Sequence, residues 1–142
     1  MLDRQPDNDE DTLAEAFWSV ARRLRQANRE ALEPWEIAPS HARVLAVLVR
    51  HGPSRLSKVA QHLHIAPRST TEVIDGLAER GLVERRPDPD DRRATLVALT
   101  DRGAEVATAI QTTRREAADR FFGSLGADDQ AELTRILRAL RD

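Results

Sequence analysis

Apolar residues recur through most of the chain at steps of three and four, the spacing that places them on one face of a helix. Prolines and glycines interrupt this pattern; Pro34, for example, requires the first long helix to end by Glu33. The pattern therefore predicts six helices in a chain of 142 residues. Their approximate ranges are 12–33, 40–51, 57–63, 67–80, 101–122 and 127–141.

Between the fourth and fifth predicted helices the pattern becomes strand-like. Residues 81–93 read GLVERRPDPDDRR and are followed by the apolar run 95–99, so two short strands flank a turn rich in Pro and Asp. Gly81 suits the left-handed position that ends a helix. The sequence therefore predicts a helix followed by a charged β-hairpin with arginines near its tip, a shape that fits the grooves of DNA.

The order of these elements predicts an α+β fold, mainly α, in which a winged helix-turn-helix is flanked by N- and C-terminal dimerisation helices. The outer helices carry apolar stripes, and Arg114 interrupts the stripe of the fifth helix. One small winged domain cannot cover all of these stripes, so a two-fold symmetric dimer is the economical arrangement. The predicted divisions are a flexible arm at 1–11, a dimerisation helix and linker at 12–38, a DNA-binding domain at 39–100 and dimerisation helices at 101–142.

Composition excludes several classes of protein. The chain has no cysteine, which rules out disulfides and thiolate metal sites. It has no 18-residue apolar run and an acidic start, so we expect a cytoplasmic protein without a membrane partner. The sequence contains neither a glycine-rich phosphate loop nor a Ser/His/Asp grouping at a recognisable spacing. It therefore gives no indication of an enzyme or of a bound cofactor. The formal net charge is −2, but residues 41–99 hold ten Lys and Arg against seven Asp and Glu, which weakly favours nucleic acid.

Three stretches of the chain resemble the MarR family of transcriptional regulators. Residues 43–63 with HGP at 51–53 resemble its second and third helices, and IAPRS through GLVER at 65–85 resembles its recognition helix and the entry to its wing. DPDDRR at 88–93 matches its wing signature, with Asp91-x-Arg93 in the place of the Asp-x-Arg element. The resemblance implies a homodimer that binds a pseudo-palindromic operator, in most cases as a repressor. In many members of the family a small, often phenolic, anion releases the DNA.

The candidate DNA contacts lie on the hairpin and on the third and fourth helices. A flat, permanently charged guanidinium suits a narrow minor groove, which favours Arg93 with Arg92, while Asp91 holds that arginine or the wing. The alternative is that these arginines are a solvated cluster that balances neighbouring aspartates. The predicted contacts are Arg55, Lys58, Arg68, Ser69, Thr71, Glu72, Asp91, Arg92 and Arg93.

Each of the helical candidates has a chemical reason. Arg68 can grip guanine or a phosphate, Glu72 can accept from a cytosine amine, and the hydroxyls can bind phosphates or base edges. Arg55 and Lys58, the one lysine of the chain, are candidate phosphate anchors. Phosphates would repel the acidic residues later in the fourth helix, so we expect only its first two turns to approach DNA.

A ligand cleft is expected, from the resemblance, between the dimerisation helices and the winged domain. Trp18, Trp35 and His41 are its candidate lining residues, because an aromatic-lined pocket near a cation suits an aryl carboxylate. The alternative is that both tryptophans close the dimer core.

Two other functions stay open. A winged domain can bind proteins rather than DNA, which the acidic face of the fourth helix would tolerate. A zinc-responsive regulator is the second alternative, although four scattered histidines and the short pattern His62-x-His64 do not indicate a metal site.

Overall fold

The computed structural model describes residues 11–142, so most of the arm expected at 1–11 lies outside the described residues. The predicted α+β winged helix-turn-helix fold is confirmed. A short 3₁₀ helix (Glu33–Trp35) links the first two α-helices, and three strands form one antiparallel sheet in the order β1-β3-β2. The elements are α1 (Leu13–Leu32), α2 (Pro39–His51), β1 (Ser54–Arg55), α3 (Leu56–Leu63), α4 (Pro67–Glu79), β2 (Val83–Asp88), β3 (Asp91–Leu99), α5 (Asp101–Phe122) and α6 (Ala127–Arg141).

Local side-chain chemistry explains where the helices begin and end. Thr12 and Glu15 form a capping box at the start of α1, with each side chain accepting a hydrogen bond from the other residue's backbone N–H. The Thr100 hydroxyl accepts from the backbone N–H of Gly103 and so caps α5. Gly81, at a φ of +72°, supplies the left-handed residue that separates α4 from the hairpin.

The core lies between α2, α3, α4 and the sheet. Val44, Leu45 and Leu48 of α2 are buried, as are Ile74 and Leu77 of α4. These side chains belong to one continuous apolar cluster that α5 joins through its own buried face. Helix α4 is therefore held on its inner face, and its outer face is left to solvent.

The N-terminus of α5 is seated directly on the entrance to the hairpin. A Cβ added to Gly103 would lie only 1.8 Å from the carbonyl oxygen of Leu82. A side chain is thus excluded at position 103, and this close approach connects the winged domain to the long helix that follows.

The outer helices leave apolar side chains exposed within one chain. The apolar stripe of α6 consists of Leu133, Ile136, Leu137 and Leu140; within one chain Leu140 is 78% exposed and Ile136 is 43% exposed. On α1, Leu13 is 88% exposed and Phe17 is 49% exposed. No helix of residues 11–142 is long and apolar enough to cross a membrane.

Candidate DNA-binding surface and ligand cavity

The tip of the hairpin projects two arginines. Strands β2 and β3 pair regularly from Val83 with Leu99 to Pro87 with Thr95, and the next pair is Asp88 with Asp91. Residues 92–94 therefore have no partner in β2 and bulge from the ladder. Arg92 and Arg93 in this bulge are both exposed, where a groove of DNA can receive them.

The aspartates of the tip shape the backbone. Oδ1 of Asp91 accepts a hydrogen bond from the backbone N–H of Arg93 at 3.0 Å, and Oδ1 of Asp88 accepts from the backbone N–H of Asp90 at 2.9 Å. The N–H of Asp90, followed by the Arg55 guanidinium, lowers the pKa of Asp88 below its ordinary value. Among residues 11–142, no acidic side chain forms an ion pair with Arg92 or Arg93. The arrangement thus favours the interpretation that these arginines enter a groove of DNA over the alternative that they neutralise the neighbouring aspartates.

Arg55, expected to bind a phosphate, forms an ion pair with Asp88 instead. Its Nε and Nη2 atoms lie 2.9 and 2.8 Å from Oδ2 of Asp88, so its guanidinium is committed to the wing. Lys58 lies exposed on α3 and stays a candidate phosphate contact.

The first two turns of α4 present the predicted base-reading residues. Arg68, Ser69 and Glu72 are exposed on this surface. Thr71 is half-buried, and its hydroxyl donates to the carbonyl oxygen of Pro67 at 3.0 Å, which leaves its oxygen free to accept.

The negative charge of the recognition helix is partly compensated by the wing. Arg85 of β2 forms an ion pair with Asp75 of α4. Asp75 is one of the acidic residues of the fourth helix that phosphates were expected to repel; its partner lies ten residues away on another element, so no local pattern in the sequence indicates the pair. The pair reduces the repulsion between α4 and phosphates and ties the recognition helix to the wing.

Comparison with known proteins identifies the family. Residues 37–95 match the MarR family model. The chain is 32% identical over 126 residues to the HTH-type transcriptional regulator YkoM of Bacillus subtilis (strain 168), a match that covers 88% of this chain and 79% of YkoM. The chain belongs to the MarR family. It is therefore a DNA-binding transcriptional regulator of the helix-turn-helix type.

Two further relatives extend the comparison. The HTH-type transcriptional repressor MdtR of Bacillus subtilis (strain 168) is 26% identical over 122 residues, which covers 86% of this MarR-family chain and 79% of MdtR. A crystal structure of a mutant MarR from E. coli complexed with operator DNA has a TM-score of 0.76 at 24% identity. It covers 96% of this chain and 98% of that one, so the likeness of fold spans nearly the whole molecule.

The three residues expected to line a ligand cleft are not brought together in this MarR-family chain. Trp18 is 52% exposed on α1 and packs edge-on against Phe17. Trp35 lines a small cavity of about 230 Å³ that includes neither of the other two residues. His41 lies on Gly76 of α4, and burial, followed by the charge of Arg80, lowers the pKa of its imidazole.

A larger cavity lies between α2 and α5. It has a volume of about 430 Å³ and combines an apolar wall with three polar side chains; its lining includes Leu45, Val49, Ile110, Arg50, Gln111 and Arg114. Arg114 also lines an adjoining cavity of about 370 Å³, which Arg25 and Arg29 of α1 share. The Nε atom of Arg114 is buried without a hydrogen-bond partner among residues 11–142, and burial lowers the pKa of its guanidinium.

Sequence reasoning noted Arg114 only as an interruption of an apolar stripe. A charged residue at an inward position of a helix is the signal that marks this cavity, because such a group is costly to bury without a partner.

Two of the histidines contact each other. The ring of His62 stacks on that of His51 with centroids 3.9 Å apart. Within the described part of the chain, no group of three or more His, Cys, Asp or Glu side chains is placed to hold a metal ion.

Proposed function

We propose that the protein is a homodimeric repressor that occupies a pseudo-palindromic operator. Residues 39–100 would bind DNA, while the helices within 12–38 and 101–142 would form the dimer. The observation that carries the proposal is the bulged wing tip, which exposes Arg92 and Arg93 beside the open first turns of α4. A two-fold axis would place the two recognition helices in successive major grooves about 34 Å apart.

The exposed apolar faces of α1 and α6 support a second copy as the partner. Burying side chains such as Leu13, Phe17 and Leu140 contributes about 1.5–3 kcal/mol each, whereas leaving them in water gains nothing. In a two-fold dimer both copies use the same surface, so each side chain buried on one copy is also buried on the other and contributes twice.

The oligomeric state is tested by sedimentation of the wild type and of Ile136→Glu. A carboxylate at position 136 is expected to split the dimer and to abolish operator binding while far-UV circular dichroism keeps its helical signal. Ala131→Glu, on the opposite side of α6, is the matched control and should leave the dimer intact. A wild-type monomer at micromolar concentration would contradict the proposal.

DNA contact is tested by titrating a footprinted operator at several salt concentrations. Arg93→Ala should weaken operator binding by about 1–3 kcal/mol. If the side chain also contacts a phosphate, the slope of the logarithm of the binding constant against the logarithm of the salt concentration should become shallower by about one. A protein that retards no genomic fragment even at low salt would instead be the protein-binding module. Repression itself is read from a reporter gene, whose expression should rise when the regulator is deleted.

We further propose that a small aryl carboxylate or phenolate releases the DNA by binding in the cavity between α2 and α5. The proposal rests on Arg114 and not on Trp18, Trp35 and His41, because a bound anion would supply the hydrogen-bond acceptor that the buried Nε–H of Arg114 lacks. Leu45 and Ile110 supply the apolar wall that an aromatic ring needs.

Benzoate and phenol at millimolar concentration are suitable first probes. If the proposal holds, benzoate lowers operator affinity, and operator DNA lowers benzoate affinity by the same factor. Benzoate binding that leaves operator affinity unchanged would remove the link to regulation.

A further inference from the structure

We infer that Arg55 and Asp88, named here the wing-tip pair, position the wing for DNA, and that Arg55 acts through this pair instead of contacting phosphate. The inference rests on the proposed function in one respect, namely that Arg92 and Arg93 enter a groove. It assigns a role to Asp88 and changes the role that its sequence suggested for Arg55.

Asp88 connects three segments at the base of the wing tip. It is the last residue of β2, and its side chain is only 8% exposed. One carboxylate oxygen accepts from the backbone N–H of Asp90 in the turn; the other accepts from Nε of Arg55 at 2.9 Å and lies 2.8 Å from Nη2 of the same guanidinium. Two nitrogens of the planar guanidinium therefore lie against the same carboxylate oxygen, an arrangement that a single ammonium group cannot reproduce.

Arg55 also reaches the other side of the hairpin. Its Nη2 atom lies 3.8 Å from Oδ2 of Asp91, whose Oδ1 holds the backbone N–H of Arg93. The guanidinium thus stands between the end of β2 and the start of β3. A continuous set of polar contacts runs from Arg55 to the backbone of the arginine that is proposed to enter the groove.

The backbone alone does not hold the tip. Strand β1 pairs only with Val97 and Leu96 of β3, and the regular pairing of β2 ends at Thr95. Among residues 11–142, the contacts of Arg55 are the only side-chain hydrogen bonds or ion pairs that join residues 88–95 to the rest of the protein. Because Arg55 directly precedes α3, the pair orients the tip relative to the helix-turn-helix.

The sign of the effect at Asp88 separates positioning from simple electrostatics. A carboxylate close to DNA repels phosphates, so its removal should strengthen binding if charge alone matters. If the carboxylate holds the tip, its removal should weaken binding despite the lost repulsion. Asp90 provides the matched control, because it lies in the same turn and is exposed.

The experiment measures operator affinity by fluorescence anisotropy for Asp88→Asn and Asp90→Asn at one salt concentration. We expect Asp88→Asn to weaken binding about fivefold or more, within the range known for loss of a groove contact, and Asp90→Asn to leave it unchanged or stronger. Stronger binding by both variants would overturn the inference. Thermal unfolding of each variant shows that both are folded at the assay temperature.

Arg55→Lys provides a test that keeps the charge. A lysine can still bind a phosphate, but it cannot hold Asp88 with two nitrogens. The wing-tip pair predicts weaker operator binding by Arg55→Lys, whereas a direct phosphate contact predicts little change. Affinity equal to that of the wild type would overturn the inference even if Asp88→Asn failed to fold.

A double-mutant cycle shows through which residue Arg55 acts. If Arg55 works through the wing, Arg55→Gln should have little further effect in an Arg93→Ala background, so the two changes are not additive. Full additivity would mean that Arg55 contacts DNA independently and would overturn the inference. If Arg93→Ala alone leaves affinity unchanged, the proposed wing contact itself fails, an outcome distinct from failure of the pair.

Discussion

Replacing Arg114 with methionine should raise stability and weaken anion binding at the same time. The guanidinium lies at an inward position of α5, and its buried Nε has no hydrogen-bond partner among residues 11–142. Methionine has a similar length and a flexible thioether, so it can keep the packing of the arginine stem without a buried donor.

The magnitude follows from the cost of a buried, unsatisfied donor, which is about 1–3 kcal/mol. Removing this cost should raise the free energy of unfolding by about 1–2 kcal/mol, since some packing of the wider guanidinium is lost. For a chain of this size the melting temperature should rise by about 2–8 °C. Loss of a charge-assisted contact, worth about 1.5–3 kcal/mol, should weaken benzoate binding by roughly 10- to 150-fold.

Urea unfolding at fixed protomer concentration gives the first quantity, and isothermal titration with benzoate gives the second. Arg115→Met is the matched control, because Arg115 is an exposed neighbour on the same helix and should change neither quantity. An Arg114→Met variant that is less stable than the wild type and binds benzoate equally well would refute the reasoning.

Two further predictions concern the frame that holds the DNA-binding surface. Gly103→Ala should lower the free energy of unfolding by about 3 kcal/mol, because its Cβ would clash with the Leu82 carbonyl oxygen. In the control variant Gly126→Ala the new Cβ meets no atom within 4 Å, so the loss should be far smaller. Equal melting temperatures for the two variants would contradict this prediction. The pKa of His41 is lowered by burial and by Arg80, so the unfolded state takes up its proton first as pH falls. Stability should therefore decline as pH drops below about 6.5, and His41→Gln should flatten that decline; an unchanged pH profile of the melting temperature would argue against it.

The helices and the wing were predictable because their signals are local. Apolar spacing, the prolines and Gly81 each act within one or two helical turns, so α2, α4 and α5 were expected within a residue or two of their observed bounds. Strand β1 was missed because Ser54–Arg55 is too short to show a period. It is a strand only because its partner lies about forty residues later in β3.

The roles of individual side chains required the folded molecule. Arg55 and Asp88 are 33 residues apart, and no local sequence pattern near either residue indicates that they pair. Arg114 was visible as a break in an apolar stripe, but the cavity beside it exists only where α2 packs against α5.

Periodicity and turn residues thus sufficed for the architecture and the family resemblance, since backbone conformation responds mainly to near neighbours. Packing between distant segments decided which charged side chains form ion pairs and which buried polar atom is left without a hydrogen-bond partner. Electrostatic and hydrogen-bond energies depend on separations of a few ångströms, and those separations are set only when the core closes.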